Sequence, residues 1–483
     1  MAPDSTRMAE TAARSAGEAE IDRVFALQKA AFAADPDPSR EKRLARLDAL
    51  IEAVEKNEAR IVEAIAEDFG ARAKEETVSA EIIISIGAAR LAKKSLAKWM
   101  RVRKVTTPLY LKPAKSRVIP QPLGVVGIIS PWNYPVQLAL SPAVAALAAG
   151  NNVMIKPSEL TPRTSDLLKE ILGAVFDERV LAVITGGVET GETFTRVPFD
   201  HLLFTGSTSI GRKVAEAAAK NLTPVTLELG GKSPAIIDGS ADLARAARSI
   251  AHGKTYNAGQ TCVAPDYVLT PKDKLDATVE AIAASARDLY PEIDTTPDYT
   301  SIVSDRHFAR LKSMIEEARA AGAKVVEVGS QNALHPQRKL PLTLIVEPPA
   351  STRVMQEEIF GPVLPVLSVS SADEAIGRVN AGDRPLALYW FGSDEAARDK
   401  VLKRTVSGGV TVNDTLMHVA QEHLPFGGVG KSGQGAYHGE KGFETFSHMK
   451  PVFYQSKLSG GKRLQPPFSD ATMKTLNLLK KII

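Results

Sequence analysis

From Gly124 onward, short apolar runs alternate with stretches of helical spacing, and that alternation narrows the choice of fold more than any other feature of the chain. Gly124-Val-Val-Gly-Ile-Ile-Ser130 is almost wholly apolar, as expected of a strand covered on both faces. Pro135 is placed to open a helix and Gly150 to close it. A strand over 152–156 follows, and Thr161-Pro162 supplies the cap and first turn of the next helix. Runs at 180–184 and 201–205 continue the series. Strands alternating with helices argue for a parallel sheet with Rossmann-like winding. The pattern resumes at 235–237, 267–269, 324–328, 363–369, 387–391 and 409–413, which argues for a second α/β domain.

The segment before this series carries structure and no evident chemistry. Leu44, Leu47, Leu50, Ile51 and Val54 form one helical stripe, and Ile61, Val62, Ile65 and Phe69 form the next, with Gly70 placed to end it. A third helical stretch spans 81–100. Between 108 and 124, prolines suit the chain to edge strands, which could pair in an oligomer arm or form a local hairpin.

A chain of 483 residues is too long for one ordinary core, so two or three domains are expected. The formal net charge of +4 gives no reason to propose nucleic acid or an anionic membrane as a partner. With Cys262 as the one cysteine, an intrachain disulfide is excluded, no metal site is expected, and a reducing compartment such as the cytoplasm fits. Residues 1–20, rich in Ala, Ser, Glu and Asp without an apolar core, read as a disordered tail and not as a signal peptide. No apolar run is long enough for an integral membrane span. Residues 473–483 form a short amphipathic segment, either docked on its own protein or touching a membrane surface.

Two residues suggest covalent chemistry. Cys262 sits in Asn257-Ala-Gly-Gln-Thr-Cys-Val263, just past a helical stretch over 243–256. A lone cysteine is commonly a small buried hydrophobe, but polar and glycine neighbours describe a loop, where Gly259 permits a tight turn. Thiolate chemistry would then need a lowered pKa or a nearby base. Glu228, in Thr226-Leu-Glu-Leu-Gly-Gly-Lys-Ser233, is an acid at an apolar strand end. Burial there would raise its pKa and suit it to take a proton from water; a salt bridge to Lys232 is the plainer alternative.

Six segments together resemble the aldehyde dehydrogenase superfamily. They are Pro-Trp-Asn-Tyr-Pro (131–135), Lys-Pro-Ser-Glu (156–159), Phe-Thr-Gly-Ser-Thr-Ser-Ile-Gly (204–211), Glu-Leu-Gly-Gly-Lys (228–232), Gly-Gln-Thr-Cys (259–262) and Glu-Glu-Ile-Phe-Gly-Pro (357–362). Pro-Phe-Gly-Gly-Val-Gly (425–430) and residues 437–448 resemble its class 3 branch, and Cys-Val-Ala-Pro-Asp-Tyr (262–267) resembles bacterial coniferyl-aldehyde dehydrogenases.

The resemblance implies that Cys262 attacks an aldehyde, that Asn133 and the Cys262 N–H hold the oxyanion, and that Glu228 activates the water that releases the acid. It implies NAD, with NADP as an alternative, bound by Ile129, Trp132, Lys156, Glu159, Gly206, Ser207, Ile210, Gly211, Leu229, Glu358 and Phe360. Outside that context Asn133 could cap a turn, Lys156 could be a strand-end charge and Glu358 a solvated helix acid. An acid at Glu159 disfavours a 2′-phosphate. Tyr134, Tyr256, Thr261, Thr415 and Met417 would line the substrate tunnel, suiting aromatic or medium-chain aldehydes. His252 departs from the bulky tryptophan common in class 3, which would widen the pocket unless this histidine serves only the core or a cap. The implied organisation is an NAD-binding domain (21–107 and 125–229), a catalytic domain (230–430), an oligomerisation arm (108–124 and 431–455) that favours a homodimer, and a C-terminal tail (456–483). A coenzyme A-acylating semialdehyde dehydrogenase and an inactive scaffold protein are the alternative readings.

Overall fold

The computed structural model describes residues 5–329, 336–458, 461 and 464–482. Three sheets organise it. The first has six strands in the spatial order Gly433–Gln434, Val225–Glu228, His201–Thr205, Val125–Ile129, Asn152–Lys156 and Leu181–Val183. All neighbours are parallel except the short Gly433–Gln434, which pairs antiparallel with the end of Val225–Glu228. Val125–Ile129 lies at the centre, with the chain running outward to 152–156 on one side and to 201–205 on the other. Ligands gather at such a reversal, outside the carboxyl ends of the strands. The helix Gln137–Ala149 is buried on every side, which explains why its residues carry no polar face.

The second sheet has seven strands in the order Lys324–Val328, Leu342–Val346, Val363–Val369, Tyr267–Pro271, Pro234–Ile237, Ala387–Phe391 and Gly409–Val412. Its first pair is antiparallel and the rest are parallel. Leu342–Val346 was not anticipated. Its five residues are all buried, and so short a run broken by Thr343 does not separate a strand from a buried turn of helix. The third sheet joins Arg103–Val105, Lys115–Pro122 and Ser447–Tyr454, bringing the two segments of the expected arm together. Residues 103–105, assigned above to the first domain, belong to this arm sheet. Gly433–Gln434, assigned to the arm, completes the first sheet instead.

The N-terminal expectation needs a correction as well. A helix spans Ser5–Ala34, where residues 1–20 were expected to be disordered. Its Ala- and Glu-rich sequence has high intrinsic helix propensity, and Ile21 and Val24, both fully buried, anchor its later turns. The helices Arg40–Lys56 and Glu58–Phe69 follow, the second ending at Gly70 as expected. The stretch expected as one helix from 81 to 100 is a π turn, Val78–Ile82, running into the helix Ile83–Trp99. Near the C-terminus a helix covers Asp470–Ile482. Met1–Asp4, 459–460, 462–463 and Ile483 of the two expected tails lie outside the described residues.

Candidate active site

Three adjacent parallel strands end at one crevice. Ile129 is followed by Trp132 and Asn133, Thr205 by Gly206 and Ser207, and Glu228 by Leu229 and two glycines. The register aligns Ile129 with Lys156 and Thr205 with Glu228, so the sheet alone brings four of the six motifs to one edge.

The second domain brings Cys262. Its helix Leu243–Thr255 gives way to a turn in which Asn257, Ala258 and Gly259 all have positive φ, of 50°, 51° and 70°. Left-handed backbone at non-glycine residues costs energy and persists only where the surroundings hold it. Here they do. The Asn257 N–H donates to the Glu76 carboxylate at 3.2 Å, and the Asn257 amide donates to the Asn133 carbonyl at 3.0 Å. The Gln260 amide donates to the Ser301 carbonyl at 3.0 Å, while its oxygen accepts the Val303 N–H at 2.9 Å. A Cβ on Gly259 would stand 2.5 Å from the Gly361 carbonyl oxygen, so glycine is required there.

Asn133 is buried, and its amide donates to the Gln260 carbonyl at 3.1 Å. Its own carbonyl accepts Arg72 at 3.2 Å, and Arg72 forms a fully buried ion pair with Glu81. The Glu81 carboxylate also accepts the N–H groups of Val136 and Gln137, at 2.7 and 3.1 Å. Glu76, Arg72 and Glu81 are the anchors that sequence reasoning missed. Each acts across 55 to 181 residues of chain, and no local pattern marks them.

Cys262 is half-buried. Burial, then the acids Glu358 and Glu228, push its thiol up to about 12. Glu228 is buried with both carboxylate oxygens lacking a hydrogen-bond partner among the described residues, and burial raises its pKa well above the usual carboxylate range. The alternative ion pair with Lys232 does not form. Lys232 turns instead to Asp266 and to the carbonyls of Val354 and Glu357.

A cavity of about 480 Å³ opens onto the sulfur. Tyr134, Tyr256, Thr261 and Met417 line it, joined by Ile84, Leu138, Phe426 and Tyr437. The Tyr134 hydroxyl meets that of Thr261 at 2.8 Å, and Tyr256 meets Ser79 at 2.7 Å. His252 stands at its rim with its ring 5.4 Å from that of Tyr256. Thr415 does not reach the cavity. It is buried under the helix Leu243–Thr255, donating to the Ser249 carbonyl at 3.0 Å where Gly253 leaves room. The neighbouring Leu416, with φ of 65°, lines the wall in its place.

The other side of the crevice suits a dinucleotide. Ser207 caps the helix Thr208–Ala219, accepting the Ile210 N–H at 3.4 Å, so the helix N-terminus faces the strand ends and favours phosphate. A Cβ on Gly211 would stand 2.5 Å from Leu229 Cδ2, so this helix packs closely on the strand beside it. Lys156, buried at its strand end, donates to the exposed Glu159 at 2.8 Å. Trp132 and Phe360 pack edge to face with centroids 5.4 Å apart. The Glu358 carboxyl lies against Gly230, where a Cβ would stand 1.9 Å from Oε2. Burial, then Asp266, raise its pKa to about 8.

The model for the aldehyde dehydrogenase family matches residues 2–452. A protein of Caulobacter vibrioides, named "Probable coniferyl aldehyde dehydrogenase", is 50% identical over 469 residues, covering 95% of this chain and 97% of its own. The substrate-bound structure of Staphylococcus aureus AldH is similar with a TM-score of 0.90 and 40% identity, over 95% of this chain and 99% of that one. Mycobacterium tuberculosis aldehyde dehydrogenase complexed with NAD+ is similar with a TM-score of 0.81 and 29% identity, over 91% of each chain. Sharing sequence and fold with these proteins over almost its whole length, the chain belongs to the aldehyde dehydrogenase family.

Proposed function

We propose that this enzyme oxidises aromatic or medium-chain aldehydes to carboxylic acids, with Cys262 as nucleophile, Asn133 as oxyanion donor and Glu228 as general base. One observation carries the reading: a half-buried thiol on a strained turn opens into an apolar cavity, within electrostatic reach of a buried carboxyl left unpaired among the described residues. In this reading the Cys262 thiol gives up its proton to water, and the thiolate sulfur bonds to the aldehyde carbon. The Asn133 amide, together with the Cys262 N–H, takes the oxygen as charge develops on it, and so holds the tetrahedral adduct. The nicotinamide of NAD supplies the two-electron acceptor when bound. Glu228 then takes a proton from the water that hydrolyses the thioester, and the sulfur leaves. A carboxylate whose proton affinity is raised by burial is a better base for that step.

Lys156 and Glu159 would hold the adenosine ribose, the helix end at Ser207 the pyrophosphate, and Glu358 with Phe360 the nicotinamide ribose. Ile129, Trp132, Gly206, Ile210, Gly211 and Leu229 would form the walls. Glu159 favours NAD over NADP, because a second anion beside it is repelled. The apolar, aromatic lining supports a ring or an alkyl chain as substrate, and the Caulobacter relative's name supports coniferyl aldehyde as the first candidate. A homodimer through the three-stranded sheet and a cytoplasmic location complete the reading. No helix of the described residues is long and apolar enough to cross a membrane.

The test is NADH formation across coniferyl aldehyde, benzaldehyde, hexanal and short hydroxyaldehydes, with Cys262→Ser as control. Turnover of the first three that vanishes in the variant is expected. Preference for short hydroxyaldehydes, or a requirement for coenzyme A, would overturn the substrate or the product assignment.

A further inference from the structure

Lys254 is a buried lysine that the reaction above does not use. Its side chain is 1% exposed, and its ammonium has no hydrogen-bond partner among the described residues. An uncompensated buried ammonium is costly, and burial lowers its pKa to about 8. The acid nearest to it is Asp266, with Oδ1 at 3.9 Å from Nζ. Asp266 is itself a junction. It accepts the Ile359 N–H at 3.0 Å and pairs with Lys232, which also donates to the carbonyls of Val354 and Glu357 at 2.7 and 2.9 Å. Arg310 donates to the carbonyls of Glu358 and Ile359 from the other side. The main chain from 354 to 359 is thus tethered on several sides, and the Glu358 carboxyl lies against Gly230.

Asp266 and Glu358 are the acids of this cluster, and Lys232, Lys254 and Arg310 its cations. Lys232 and Arg310 spend their donors on backbone carbonyls, Asp266 and the Met314 sulfur. Lys254 makes no such bond, so what it contributes is charge. It also lies in the last turn of the helix that leads into the Cys262 turn, and its carbonyl lies 2.8 Å from where a Cβ on Gly259 would stand.

We propose that Lys254 is a positioning residue for cofactor binding: its buried ammonium, acting through Asp266, fixes the 354–359 loop and with it the Glu358 carboxyl, and ties that loop to the turn bearing Cys262. The proposal rests on the reading that Glu358 meets the nicotinamide ribose, and the two can be tested apart.

The experiment is calorimetric titration of the enzyme with NAD+, using Glu358→Gln, Lys254→Met and the double variant. Glu358→Gln is expected to weaken binding about tenfold, the size of one good hydrogen bond to the ribose. Lys254→Met is expected to weaken it to a similar extent, and the double variant no further than either single one, since both act on the same bond. The rise should fall on KM for NAD+ and spare KM for the aldehyde. A native Kd in Glu358→Gln would overturn the ribose reading. A weakened Glu358→Gln beside a native or strictly additive Lys254→Met would overturn the role of Lys254 alone. Should Lys254→Met fail to fold, Asp266→Asn keeps an acceptor for the Ile359 N–H while removing the charge that Lys254 faces. It must then weaken NAD+ and be non-additive with Glu358→Gln, or the proposal falls.

Discussion

Glu228 shows how a residue can be placed against its own stability. Its carboxyl is sealed in with neither oxygen satisfied among the described residues, and burial raises its pKa. For an acid whose pKa is raised on folding, the folded state binds the proton more tightly. Stability is therefore lost as pH rises above the unfolded value and levels off only above the folded one. Glu228→Gln should then raise the thermal midpoint by roughly 1–3 °C at neutral pH, as read by calorimetry, while slowing deacylation roughly 10²–10⁴ fold. A burst of NADH followed by a slow phase is the expected trace, and an unchanged steady-state rate would remove Glu228 from its role provided that deacylation limits turnover. Cys262 makes a second prediction at this scale. With its thiol pushed up to about 12 by burial and by two acids, alkylation of the cofactor-free enzyme by iodoacetamide should keep accelerating as pH rises past the ordinary thiol range. A plateau near the ordinary thiol value would contradict that environment.

At the scale of elements, the turn Asn257–Gly259 holds Cys262, the proposed nucleophile, and glycine is essential to it. Gly259→Ala would force a Cβ against two carbonyl oxygens, those of Gly361 and Lys254, at a φ of 70°. A loss of about 1–3 kcal/mol is expected, with the thiol displaced. Urea unfolding and the rate of Cys262 labelling measure the two effects. Much of this scale was legible in the sequence. The strands at 201–205, 363–369 and 387–391 lie where the apolar runs put them, because a strand buried on both faces announces itself by composition. The need for glycine at 211 was legible for a similar reason, since the helix there packs closely on Leu229. What stayed hidden is tertiary. Glu76 reads as one acid among several on a polar stretch until the fold sets it against Asn257. Thr415 looked like a tunnel residue until a neighbouring helix covered it. The helical residues 5–20 escaped because composition alone cannot separate a helix-prone segment from a tail until something buries Ile21 and Val24.

For the whole molecule, the three-stranded sheet matters most. Its outer strand Ser447–Tyr454 pairs on one side only, and Phe453 and Tyr454 are about half exposed on it. An exposed strand edge with apolar side chains is a pairing surface. Sedimentation should find a dimer, and Phe453→Asp with Tyr454→Asp should shift it toward monomer. A wild-type monomer at micromolar concentration would end that assignment.

The Cys262 turn is gripped from both halves of the chain at once, by Glu76 and Asn133 on one side and by Ser301 and Val303 on the other. Neither half can shape it unaided. During refolding from denaturant, then, the sheet that carries Lys156 and Ser207 can form first, and full NAD+ affinity should wait for the docking that sets Glu358 against Gly230. Competence to form an acyl-enzyme should lag until the two halves have docked. Maturation of the catalyst would then be the last step of folding, completed only when the two halves close on the Cys262 turn.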